Sequence, residues 1–108
     1  MNELIHVGLR THLEASNIVM LEANINYTFL YLVDGQKIIV PYHLKKLSKR
    51  LVMHKSFVRP NKSAIVNLQF LTEYNDNSLT INQETIRISR RRKEEIISNC
   101  IDFMTDKG

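Results

Sequence analysis

The chain has 108 residues, 44% of them hydrophobic and 24% charged, which fits one folded domain with a modest core and excludes both a two-domain protein and a disordered tail. Cys100 is the single cysteine, which excludes an internal disulfide framework and any multi-cysteine zinc centre. No apolar run approaches the ~18 residues of a membrane span and no signal-peptide pattern opens the chain, so a cytoplasmic setting is expected.

The net charge is only +4, but it is unevenly spread. Residues 1–34 carry one base and four acids, residues 35–72 carry eight bases and no acid, and residues 73–108 carry six bases and seven acids. Within the last block Arg87, Arg90, Arg91, Arg92 and Lys93 crowd together. A long stretch without a carboxylate cannot neutralise itself locally; its charges meet acids elsewhere in the fold, solvent, or an anionic partner, of which nucleic acid is the commonest.

Residues 1–16 carry the weakest pattern; a strand near residues 4–9 and a turn at Ser16-Asn17 are expected. The run Ile18-Val19-Met20-Leu21 reads as a buried strand ending in a polar turn. Residues 27–33 (YTFLYLV) are aromatic and β-branched and stop at Asp34-Gly35, a strong two-residue hairpin signal. Residues 36–40 (QKIIV) then return antiparallel until Pro41, which has no N–H for a ladder. A three-stranded meander over residues 18–40 follows.

From residue 42 to 53 the period changes. Leu44, Leu47 and Leu51 share one helix face, with Lys45, Lys46, Lys49 and Arg50 on the other. Phe57-Val58-Arg59 resumes extended structure, which Pro60-Asn61 breaks with turn chemistry. Residues 63–67 pack Ile65 and Val66 inward in a helical turn or a strand. Residues 68–74, 79–81 and 85–88 read as three further strands. Ile96, Ile97, Cys100, Ile101 and Met104 then dock a C-terminal helix over residues 90–104. The expected fold is mainly β, antiparallel sheets packed together, with one short basic helix in the middle and one helix at the end. All 108 residues are read as a single domain, without repeats or linkers.

Nothing in the sequence marks an enzyme. His6, His12, His43 and His54 fall at no metal-binding spacing, and each reads as a surface or half-buried residue. Cys100 lies on an apolar helix face, where it acts as a small hydrophobe. Gly8, Gly35 and Gly108 make no phosphate-cradling loop, and Glu94-Glu95 complement the positive end of a helix. No cofactor, metal or small-molecule substrate is expected.

The segment FVRPNKSAIVN at residues 57–67, with SRRR at residues 89–92, resembles the LytTR family of bacterial DNA-binding domains. That family shows an F-[IV]-R-x-H-[RK]-S-x-[IL]-V-N block followed some twenty residues later by S-R-R. Residues 17–23 (NIVMLEA) with Tyr27-Thr28 resemble the family's upstream wording, so the likeness covers about residues 17–97. One departure is visible: the frequent histidine of the middle block is Asn61 here, preceded by Pro60. Asparagine replaces a hydrogen bond of histidine but not its positive charge.

The resemblance implies a largely β module that reads successive grooves on one face of double-stranded DNA through loop side chains. Its reading residues map onto the loop after the first family strand (Asn24, Asn26 and Thr28), the middle block (Asn61 and Lys62) and the S-R-R block (Arg90 and Arg91). Arginine can donate two bonds to a guanine edge, and lysine can do likewise or hold a phosphate. Arg59 and Arg90 fit contact with phosphate or bases and equally fit salt bridges to Glu22, Glu73 or Glu84. Turn chemistry alone also accounts for Asn24, Asn26 and Thr28. Ser63 and Asn67 read as turn-capping residues. Lys45, Lys46 and Lys49 form a solvated face with electrostatic steering as a second role. Family members often carry an N-terminal receiver domain, for which this chain has neither the length nor the acidic cluster. A stand-alone regulator or an effector domain of a two-component response regulator is implied, with dimerisation on repeated half-sites. A basic face docking an acidic protein, or an RNA-binding domain, is the alternative.

Overall fold

The computed structural model describes residues 4–8, 11–51 and 53–107. Strands β1 (Leu4–Gly8) and β2 (Thr11–Glu14) form a hairpin in which His6 and His12 are cross-strand partners with stacked rings 4.8 Å apart. Strands β3 (Ile18–Asn24), β4 (Tyr27–Leu32) and β5 (Lys37–Val40) make the expected meander. Helix α1 (Leu44–Leu51) follows, then β6 (Phe57–Asn61) and β7 (Ala64–Asn67). Strands β8 (Leu71–Tyr74), β9 (Ser78–Ile81) and β10 (Glu84–Arg87) lead through a 3-10 turn at Arg90–Arg92 into helix α2 (Lys93–Lys107).

The central sheet has the order β5-β4-β3-β7-β6, and a three-stranded sheet has the order β10-β9-β8; every pairing is antiparallel. One face of the central sheet is covered along its length, and the other is covered over β3, β7 and β6 while Tyr27 and Ile39 stay exposed on β4 and β5. Ile5, Val7, Leu21, Leu30, Ile65 and the α1 leucines Leu44, Leu47 and Leu51 form one core. Met20, Val58, Val66, Leu79, Ile81, Ile96 and Cys100 form the other. Neighbouring residues on one strand point into opposite cores, as Ile65 and Val66 do, so β3 and β7 read as continuous apolar runs rather than alternating ones. Gly8 lets β1 settle on this sheet, because a Cβ there would stand 3.2 Å from the Val40 side chain.

Four local features differ from the sequence reading. The Asp34-Gly35 turn is a three-residue loop closed by Leu32 N–H donating to the Gln36 carbonyl, with Gly35 at φ +92°; three-residue hairpins place glycine in this left-handed position. Pro60-Asn61 does not end the strand but belongs to β6. β6 is an edge strand with irregular register between Val58 and Asn61, the setting in which a missing N–H is tolerated. Residues 68–70 are a 3-10 turn rather than strand, because the buried Asn67 side chain accepts the Gln69 N–H at its start while donating to the Ala15 and Ile18 carbonyls. Finally, α2 docks through Ile96 and Cys100, with Ile97 and Phe103 at the margin, while Ile101 and Met104 each stay 49% exposed. The apolar stripe of α2 is wider than the surface that covers it.

Candidate nucleic-acid interface

Three loops converge at one end of the central sheet. The β3–β4 turn (residues 25–26) and the β6–β7 turn (residues 62–63) sit at the same end because Glu22 of β3 pairs with Ala64 of β7. The Ala23 N–H donates to the Ser63 carbonyl at 2.9 Å. The segment after β10 is tied to this end twice, by Ser89 N–H to the Pro60 carbonyl at 2.9 Å and by Asn61 Nδ2 to the Arg87 carbonyl at 2.7 Å. On the other side of the meander, Thr28 Oγ1 donates to the Tyr42 carbonyl at 2.7 Å, which fixes the start of α1 at the same end.

Apart from Ile25 and Tyr27 at the β3–β4 turn, the exposed residues at the tips of this end are polar or cationic. Asn24 and Asn26 are exposed at the β3–β4 turn, Lys62 at the β6–β7 turn, and Arg87, Arg90 and Arg91 on the third segment. Lys45 and Lys46 project from the first turn of α1. Lys46 Nζ lies over the Tyr42 ring at 4.2 Å, so a cation–π contact holds it beside the sheet end. Lys49 is exposed one helical turn beyond Lys45, about 6 Å further along the axis. Arg50 is turned inward instead, donating to the His6 carbonyl at 2.8 Å.

Two of the expected reading residues are not available to a partner. Thr28 is fully buried, and its hydroxyl is engaged by Tyr42; it anchors β4 to the approach of α1. Asn61 is 8% exposed, and its amide bridges two loops, accepting the Ser63 N–H at 2.7 Å while donating to the Arg87 carbonyl. Asn61 thus acts as a clamp between two loops.

Arg59 is half-buried and engaged with the neighbouring turn. Its Nη2 donates to the Lys62 carbonyl at 2.9 Å, not to Glu22, Glu73 or Glu84. Glu22 instead accepts the Tyr31 hydroxyl at 2.9 Å. Arg92 Nη1 approaches the Arg59 carbonyl at 3.4 Å, and the Arg59 Nε is buried without a partner. Burial first, and then the neighbouring Arg92 charge, lower the Arg59 pKa from its ordinary value. Arg59 therefore braces the turn that presents Lys62 from behind.

The sequence reading missed Arg92 and Arg87 as parts of this framework. The crowding of arginines in residues 87–92 was the available signal. It also missed Ile25, which stands at the tip of the β3–β4 turn, 87% exposed, with φ +52°. Only its place between Asn24 and Asn26 could have drawn attention to it.

Chemically, the end offers several donors and cations on loops of the central sheet. Among the described residues no group of three or more His, Cys, Asp or Glu side chains could hold a metal. No helix there is long and apolar enough to cross a membrane. Burial pushes the Cys100 thiol up to about 11, which leaves it an inert core group at neutral pH.

The fold is a mainly β module whose grouped loops carry exposed amides and cations at one end of the central sheet. The LytTr DNA-binding domain family matches residues 10–99, and the chain belongs to that family of DNA-binding domains, which is not a family of enzymes. Among solved structures, it is similar to the LytTr DNA-binding domain of a response regulator from Bacillus cereus, with a TM-score of 0.64 and 17% identity, covering 93% of this chain and 95% of that one. At that identity the likeness concerns the fold. A search of curated protein sequences finds no match.

Proposed function

We propose that the domain is a sequence-specific transcriptional regulator that lays the loop-bearing end of its central sheet along duplex DNA and reads successive grooves with side chains from separate loops. Lys62 and Arg91 make the base contacts, Arg90 lies beside them, and Asn24 and Asn26 add bonds to bases or sugar-phosphate. Lys45, Lys46 and Lys49 act through the phosphates. One observation carries this reading: three loops far apart in sequence are hydrogen-bonded into one end, and their exposed tips are Asn24, Asn26, Lys62, Arg90 and Arg91.

The similar Bacillus cereus domain comes from a response regulator, which supports a role as the output module of a two-component or comparable signalling system. Binding as a pair on repeated half-sites fits such a module, because a single small end covers few base pairs.

Selection of bound duplexes from a random pool tests the reading. The expected product is a defined motif, bound about 10³-fold or more tighter than scrambled duplex. Arg91→Ala is expected to weaken binding to that motif more than to scrambled DNA. Equal losses on both would make Arg91 a phosphate contact, and failure to enrich any motif would remove sequence specificity from the account.

A further inference from the structure

Ile25 occupies the first central position of the two-residue turn between Asn24 and Tyr27, which are paired across the hairpin. Its φ is +52°. That region crowds any Cβ, and a β-branched side chain suffers most. Glycine, asparagine or aspartate usually fills such a position. In the β9–β10 turn Asn82, at φ +46°, obeys that preference, and the departure at Gln83, at φ +75°, is an unbranched polar residue. The β3–β4 turn does the opposite, although asparagines flank Ile25 on both sides. Nor does packing compensate, since the side chain is 87% exposed. A strained backbone that carries an exposed aliphatic group gains nothing for the folded state, and strain of this kind collects where a side chain must be presented.

The surroundings say to what. Ile25 lies at the polar and cationic end, on the turn whose neighbour Ala23 is bonded to the Lys62-Ser63 turn. The apolar group that duplex DNA displays in its major groove is the thymine C5-methyl. Building on the DNA reading above, we propose that Ile25 is a specificity-determining residue that packs its aliphatic side chain against a thymine methyl in the major groove. Its contact is apolar, adding discrimination without adding to the salt dependence.

Ile25→Gly and a uracil scan of the selected duplex test this together. Ile25→Gly is expected to raise Tm by about 5 °C, through relief of the left-handed strain, while lowering the ratio of selected to scrambled affinity. A merely structural residue would not move stability and discrimination in opposite directions. Replacing thymines singly by uracil removes one methyl at a time. One such replacement is expected to weaken the wild-type protein about fourfold, the value of one buried methyl-sized group, and to leave Ile25→Gly unaffected. An unchanged affinity ratio in Ile25→Gly would overturn the proposal, as would a uracil scan in which every position affects the two proteins equally. A wild-type protein that prefers no sequence would instead overturn the DNA reading on which the proposal rests.

Discussion

The Thr28 hydroxyl and the Lys62 ammonium show how differently two polar residues serve one surface. Thr28 is buried, with its proton on the Tyr42 carbonyl at 2.7 Å. Thr28→Val keeps the shape and removes that hydrogen bond, so chemical denaturation should show a loss of about 1 kcal/mol. The salt dependence of DNA binding should stay as it was, because no charge is removed. Tyr31 offers a second local test. Burial first, then its hydrogen bond to Glu22, then the charges of Glu22 and Glu84, raise its pKa from 10.0 to about 12. The folded state thus keeps a proton that the unfolded state releases, so this contribution is whole below pH 10 and is lost as pH rises through 12. Denaturation midpoints followed across that window should fall, and Tyr31→Phe should flatten the fall.

At the scale of elements, α1 is legible because three leucines recur at helical spacing and all three are buried, a pattern that needs no knowledge of the partner surface. The meander was equally plain, since aromatic and β-branched runs were separated by asparagine and glycine. Of the β1–β2 hairpin only the first strand was legible, where Ile5 and Val7 alternate into the core; β2 is exposed or half-buried throughout, and its His12 reads as a surface group. Thr28 and Asn61 escaped for another reason: their partners lie 14 and 26 residues away, and composition near a turn cannot reveal a bond supplied from so far. Lys62, Arg90 and Arg91 were recognisable as cations, whereas their common location depends on the register of β3, β6 and β7. The same distinction governs α1. Its lysines face outward, so Lys45→Ala should weaken selected and scrambled duplexes alike and make the slope of log affinity against log salt shallower by about one. An unaltered slope in a binding titration would assign Lys45 to the solvated face alone.

For the whole molecule, one fact organises the rest. The central strands β3 and β7 are buried on both faces, and hydrogen bonds across the loops gather three of them at one end of the sheet. The opposite end is built differently: the Val33 N–H donates to the Asn17 carbonyl and the Leu68 N–H to the Ser56 carbonyl, with Asp34 exposed at the turn. Amide chemical shifts followed while the selected duplex is added distinguish the two ends directly. The expected perturbations fall on residues 24–26, 62–63 and 87–92 and on the first turn of α1, with residues 33–36 and 68–70 unmoved. Perturbations centred on that second set, or spread evenly over both ends, would contradict the account.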